Sequence, residues 1–254
     1  MNSNPETLFV GQNVISKDIV DSTNSAATSL LDETRLPEGT VIIAKEQHAG
    51  RGQQGTTWES EHGKNLLASF ILYPTFLHPI NIFHLNMSIS LALYDFGNKL
   101  LKNDVSVKWP NDLYYKNKKL AGLLIENSIR NNEFNYSIVG IGININQTKF
   151  SANAANPTSF KAILKNDLDM TEVFNLLCGC IEARYLQLKS TKSDDLKNEY
   201  LKVLYKFNIP ATYKVGEKIV SREIVDVMND GKLVLKDEYG KRNVYNFKEI
   251  SFVI

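Results

Sequence analysis

The spacing of apolar positions divides the chain into helical and extended stretches, interrupted by one long polar interval. Asp21, Ser22, Thr23 and Asn24 are all residue types that open helices, and Ser25 to Glu33 reads as the helix that follows, stopped by Pro37-Glu38-Gly39. Thr40 to Ala44 is β-branched and apolar. Leu66 to Leu72 is predominantly apolar and ends before Pro74. Both read as buried strands. From Ile82 to Leu101 apolar residues recur mostly at helical spacing, which predicts a buried helix. Strands are expected at Val105–Trp109, Leu113–Tyr115, Leu120–Glu126 and Phe134–Ile145, with turns at Lys116–Lys118 and Arg130–Glu133. A loop is expected from Phe150 to Thr158. Thr171 to Lys189 carries Val173, Phe174, Leu177, Ile181, Tyr185 and Leu188 on one helical face, and a further helical stretch runs from Leu196 to Leu204.

The pattern changes after Pro210. From Ala211 to Ile254 only short strands and turns are legible, such as Val215-Gly216 and Asn229-Asp230-Gly231-Lys232. Turns this closely spaced predict a small β-barrel. The expected division is therefore 1–208 as the main domain and 209–254 as a small one. A tail of about 45 residues is marginal alone and should pack on the main domain.

Composition narrows the function class. The 254 residues carry 29 Lys and Arg against 28 Asp and Glu, a net charge of +1, so the basic excess usual for a DNA-binding protein is missing. No apolar run reaches the roughly 20 residues of a bilayer span. Met1 to Glu6 has neither a charged nor an apolar signal region, so a cytoplasmic location is expected. Cys178 and Cys180 lie two apart on a predicted helix and do not share a face. They read as reduced thiols and not as metal ligands.

Four strings depart from ordinary core or surface patterning. Gly50-Arg51-Gly52-Gln53-Gln54-Gly55 matches G-x-G-x-x-G after a strand, but no apolar helix follows, which removes the dinucleotide-fold reading. No Gly-Lys-Ser/Thr closes it as a P-loop. What remains is a glycine-rich loop, His48 to Asn65, with Arg51 and Trp58. It is either a plain surface loop or an anion site built from backbone N–H groups and a guanidinium. The loop has too few apolar side chains to order itself without a ligand. Lys108-Trp109-Pro110-Asn111-Asp112 clusters a cation, an amide and a carboxylate at a strand end, and taken alone is better read as a polar turn. Lys119 leads into a strand containing Gly122. Gly140 and Gly142 interrupt a β-branched strand, either for a close-approaching ligand or as a bulge.

Taken together, in this order and spacing, the strings resemble the biotin–protein ligases. The resemblance is carried by Asp21-Ser22-Thr23-Asn24, by Glu46 to Gly55 followed by Trp58, by Lys108 to Asp112, by Lys119-Leu120-Ala121-Gly122 and by Gly140 to Asn144. It covers roughly residues 15 to 150 strongly, and the C-terminal strands are similar to the family's SH3-like domain. The implied fold is α+β: a mixed central sheet packed with helices, of the class II synthetase-like or biotin–lipoate ligase kind, plus an SH3-like C-terminal β-barrel. The chain starts almost directly at the first motif, which resembles the monofunctional class without an N-terminal DNA-binding domain.

The resemblance implies ATP-dependent activation of biotin as biotinyl-5′-AMP and transfer to one lysine of a biotin carboxyl carrier protein, with Mg²⁺, no DNA and no membrane. It assigns Ser22, Thr23, Asn24, Gln47, Gly50, Arg51, Gly122 and Gly140 to biotin. Arg51, Gln53, Trp58, Asn111, Lys119 and Asn144 are assigned to ATP or the adenylate. Lys119, Asp112 and Arg51 are implied to be catalytic, with Asp112 also the metal candidate. Gly142 joins the glycines expected to let backbone approach the ligand. Many members have arginines where this chain has Gln53 and Thr56, so Lys64 or Arg222 is expected to replace that charge. Two alternatives share the pattern. A lipoate ligase or octanoyltransferase has the same architecture, against which the glycine loop argues. A non-catalytic biotin- or adenylate-binding relative is favoured by the missing loop arginines.

Overall fold

The computed structural model describes residues 5–152, 154, 156–190 and 193–253. The predominantly apolar segment becomes β3 (Leu66–Leu72), buried along its whole length in the interior of a seven-stranded sheet. In spatial order the sheet runs β1 (Val14–Val20), β2 (Val41–Gln47), β3, β7 (Glu133–Ile143), β6 (Lys118–Arg130), β5 (Asp112–Tyr115) and β4 (Val105–Lys108). Only β1 and β2 are parallel; every other neighbour pair is antiparallel. β1 has no counterpart in the sequence reading. It is an edge strand whose middle positions are exposed, so it carries no apolar alternation to recognise.

Strand alternation sorts the side chains onto two faces. Ala68, Phe70 and Leu72 of β3, with Leu123, Val139 and Ile141, join the main core beneath α2 (Ile82–Leu101) and α4 (Met170–Ser190). Ile42, Ile71 and Ile138 point to the other face, where Ala27 of α1 (Thr23–Glu33) covers them. The helix expected from Leu196 is α5 (Ser193–Lys202). Arg184 of α4 ties the helical layer together, pairing with Asp95 of α2 and Glu199 of α5. A one-turn helix, α3 (Phe160–Leu164), follows the 150–158 loop, of which residues 153 and 155 lie outside the described residues. Cys178 and Cys180 are free and buried in α4, and burial pushes the Cys178 thiol up to about 12. Among the described residues no helix is long and apolar enough to cross a membrane.

The C-terminal segment forms an antiparallel five-stranded sheet in the order β11 (Arg242–Tyr245), β10 (Leu233–Lys236), β9 (Lys218–Val227), β8 (Pro210–Val215), β12 (Ile250–Phe252). This is the small β unit that closely spaced turns predict. It is seated through Trp109, whose indole N–H donates to the Gly231 carbonyl at 2.9 Å and whose ring stacks on Phe247 at 5.2 Å. Lys197 of α5 pairs with Asp226 of β9 at 2.7 Å.

Candidate active site

On the α1 face of the sheet, glycines of neighbouring strands come together. Gly122 lies opposite Gly142, and Gly140 lies between Leu124 and Ser69. Missing side chains leave a depression there. The start of α1, the glycine loop, the β4–β5 turn and residues 247–252 enclose it as a cavity of about 350 Å³.

One end of the cavity is a closed hydrogen-bond network. Gln47 Oε1 accepts from the backbone N–H of Thr23 at 2.8 Å and from its hydroxyl at 3.1 Å. Ser69 Oγ lies 2.7 Å from Thr23 Oγ1 and 2.6 Å from Asn24 Oδ1. Asn24 Nδ2 donates to Glu126 Oε2 at 2.7 Å. The Asn24 amide thus has a defined orientation, with acceptor and donor ends fixed by different partners, and the Gln47 oxygen is fixed by Thr23. Ser22 occupies the N-cap position of α1, but its side chain does not cap the helix, contrary to the capping expectation. It lines the cavity instead.

The other end is cationic. Lys119 Nζ pairs with Asp112 Oδ1 at 2.7 Å and lies 5.6 Å from the centroid of the Trp58 ring. Lys108 stands over Phe252 at 4.7 Å and over Tyr114 at 5.1 Å. Burial pushes its ammonium below the ordinary lysine value; Asp112 counteracts that and Lys119 adds to it. Lys248 also reaches the lining. Two lysines and one carboxylate so placed form a positively biased, water-poor end suited to phosphate oxygens.

The glycine loop has a definite course. Trp58 N–H donates to the Gly50 carbonyl at 2.8 Å, Arg51 bridges to Thr57, and a 3-10 turn spans Gln53–Gly55. The sequence reading left this segment without an anchor. The anchor is the Trp58 ring, which packs where side chains at 122 and 142 would stand: a Cβ at Gly142 would lie 2.5 Å from the ring.

Several expected roles change with the geometry. The glycines do not merely admit a ligand. A Cβ at Gly140 would lie 2.3 Å from Asn24 Oδ1, so Gly140 seats Asn24, while Gly122 and Gly142 seat Trp58. Gly50 is not in the lining; a Cβ there would meet the Trp58 carbonyl at 2.3 Å, so it closes the loop. Asn144 is also outside the lining, its amide donating to the Thr158 carbonyl at 3.0 Å in a buried tether. Asn111 lines the cavity, yet its amide donates to the Leu123 carbonyl. Asp112 is engaged by Lys119 and is the only carboxylate among the lining residues. Arg51 is paired with Glu126 at 2.8 Å. Lys64 and Arg222 do not reach the cavity; Lys108 and Lys248 bring the extra charge. Ser22, Thr23, Asn24, Gln47, Gln53, Trp58, Lys119, Gly122 and Gly140 all line it.

Ser69, Glu126 and Phe252 were not among the expected site residues. Strand parity could have found two of them. Glu126 follows Gly122 and Leu124 at two-residue steps, and Ser69 is the one polar residue inside an apolar strand. Phe252 carries no sequence signal, because only docking of the second sheet brings it to the cavity. Among the described residues no group of three or more His, Cys, Asp or Glu side chains is placed to hold a metal.

Comparison with known proteins gives the class of molecule first. Residues 16–144, half of the chain, match the model of the biotin/lipoate A/B protein ligase family, and the chain belongs to that family. Within it the chain is similar to the bifunctional ligase/repressor BirA of Bacillus spizizenii, 30% identical over 184 residues that are 71% of this chain and 56% of that protein. It is also similar to the biotin–[acetyl-CoA-carboxylase] ligase of Paracoccus denitrificans, 26% identical over 228 residues that are 87% of this chain and 93% of that one. Among solved structures, the biotin protein ligase from Aquifex aeolicus in complex with biotin and ATP superposes with a TM-score of 0.77 at 26% identity, covering 94% of this chain and 98% of that one. The chain spans about half the length of the bifunctional relatives it matches: 56% of the Bacillus protein and 44% of BirA from Escherichia coli.

Proposed function

We propose that this chain is an ATP-dependent biotin–protein ligase that forms biotinyl-5′-AMP and passes biotin to a lysine of a biotin carboxyl carrier protein. The observation that carries the proposal is the polarity of one cavity. Its first end presents oriented amides and hydroxyls for a compact ring bearing N–H and C=O groups. Its second presents Lys119, Lys108 and a flat indole for a nucleotide. Family membership and similarity to a ligase crystallised with biotin and ATP support the same reading.

In the first half-reaction the valeryl carboxylate of biotin attacks the α-phosphorus of ATP. A carboxylate–phosphorus bond forms, and pyrophosphate leaves. Ser22, Thr23, Asn24 and Gln47 hold the ureido ring, fixing where the carboxylate points. Lys119 stabilises the charge that gathers on the α-phosphate, and Lys108 and Arg51 add positive potential. Trp58 offers its face to adenine, with Gln53 beside it on the loop. Asp112 orients Lys119 through their ion pair. Mg²⁺, when bound, neutralises phosphate charge. Asp112, the carboxylate in the cavity lining, is the residue that would hold the ion.

In the second half-reaction the amine of the acceptor lysine attacks the anhydride carbonyl. The new amide bond forms as the bond to AMP breaks, the proton lost by the amine passes to solvent, and no covalent enzyme intermediate is needed. The loop and residues 247–252 keep water from the anhydride. Residues 1–208 and 209–254 then act as two domains sharing one site. Pyrophosphate release from ATP tests the proposal: it should require biotin and should fail with lipoate. Release with lipoate alone would make the chain a lipoate ligase. Binding of both substrates without release would leave a binding module.

A further inference from the structure

We infer that Glu126 is a positioning residue that links the biotin end of the site to the glycine loop and acts as a resident anion on Arg51. The inference rests on the ligase reading above. One carboxylate oxygen of Glu126 accepts from Asn24 Nδ2 at 2.7 Å and from Arg51 Nη2 at 2.8 Å. These donors come from α1 and from the loop, while Glu126 itself is on β6, so one oxygen joins three segments.

The two bonds do different work. Asn24 has its oxygen committed to Ser69 at 2.6 Å. With its nitrogen on Glu126 the amide cannot flip, since a flip would set its oxygen against a carboxylate. Glu126 therefore decides which amide atoms face a ligand. Arg51, by contrast, is a cation whose partner is already present. An incoming carboxylate or phosphate must share or displace Glu126, and the negative charge of Glu126 opposes anions nearby. One residue thus sharpens recognition of a neutral ring while weakening the hold on an anionic group. That combination suits a site that must release AMP after each transfer.

The two roles separate on substitution. Glu126→Gln keeps an acceptor for Asn24 and removes the charge; Glu126→Ala removes both. Biotin and α,β-methylene ATP, which cannot be cleaved at the α-phosphate, are titrated separately into the full chain by calorimetry. Glu126→Gln should bind biotin within about twofold of the parent and bind the nucleotide roughly two- to fivefold more tightly, the scale of an exposed ion pair. Glu126→Ala should lose about tenfold or more in biotin affinity, the scale of a hydrogen bond to a charged group. The Glu126 side chain is 37% exposed, so thermal midpoints should stay near the parent value. If the alanine variant unfolds, the glutamine variant still decides the matter. Unchanged biotin affinity in a folded alanine variant, or weaker nucleotide binding in the glutamine variant, would overturn the inference. Failure of the unsubstituted protein to bind biotin would instead overturn the ligase reading and the inference with it.

Discussion

A single added methyl group at Gly140 tests how the cavity is built. The Cβ of an alanine would stand 2.3 Å from Asn24 Oδ1, 2.9 Å from its Cγ and 3.0 Å from its Nδ2. Real Cβ contacts begin near 3.0–3.4 Å, so the amide oxygen must retreat by roughly an ångström. It cannot do so and keep both the 2.6 Å contact with Ser69 and the 2.7 Å bond from its nitrogen to Glu126. Losing a neutral hydrogen bond costs about 1 kcal/mol, and losing one to a carboxylate about 1.5–3 kcal/mol. A partial loss of both places the effect at roughly 2–3 kcal/mol, or about 30- to 150-fold in biotin affinity. Calorimetric titration of biotin into Gly140→Ala measures this directly. Gly142→Ala is the matched control, because its Cβ would meet the Trp58 ring at 2.5 Å and should disturb nucleotide more than biotin. Parental biotin affinity in Gly140→Ala, or the same ligand profile in both variants, would refute the claim that these glycines seat different side chains.

Three further outcomes follow from the same geometry. Lys119→Ala should lower biotin-dependent pyrophosphate release by about two to three orders of magnitude, the scale of removing one preorganised donor; a rate near the parent's would move the role to Lys108. Trp58→Ala should weaken ATP binding more than biotin binding, and equal losses in paired titrations would remove the indole as the adenine platform. His84 is buried in α2, and burial holds its imidazole below the ordinary value. Below a pH of roughly 6.5 the unfolded chain therefore takes up a proton that the folded chain resists, so stability should fall as the pH drops through that value. Denaturant midpoints measured between pH 7 and pH 5 should show that slope, and His84→Gln should flatten it.

The legible parts of this chain are those with local causes. The helix at Ile82–Leu101 and the strand at Leu66–Leu72 have the same limits in sequence and structure, because periodicity and a dense apolar run each fix one element. β1 escaped because an edge strand has no buried alternation to read. At the site, the residue types suited to hydrogen-bonding and phosphate chemistry could be named from their strings, but not their partners. Arg51 reads as an anion ligand until Glu126, 75 positions away, is folded against it. Asp112 reads as a metal candidate until the strand pairing of Asp112 with Gly122 brings Lys119 alongside. Gly140 reads as room for a ligand until Asn24, from another element, fills that room. The Arg51 and Gly140 contacts are long-range, which no window of sequence contains, and the Asp112 contact needs the hairpin that folds Lys119 back onto it.

The wall formed by residues 247–252 has a consequence for cohesion. The floor of the cavity belongs to the seven-stranded sheet, while Phe247, Ile250 and Phe252 belong to the C-terminal unit. A ligand that fills the space touches both, so part of its binding free energy is adhesion between them. Saturation at a hundred times the dissociation constant adds about 2.7 kcal/mol to the bound state. Where that ligand spans the seam, the increment opposes separation of the two sheets as well as unfolding of either. Under the proposed function, the adenylate is then both the intermediate and the mortar of the chamber that shelters it, and the departure of AMP removes that mortar at the moment the product must leave.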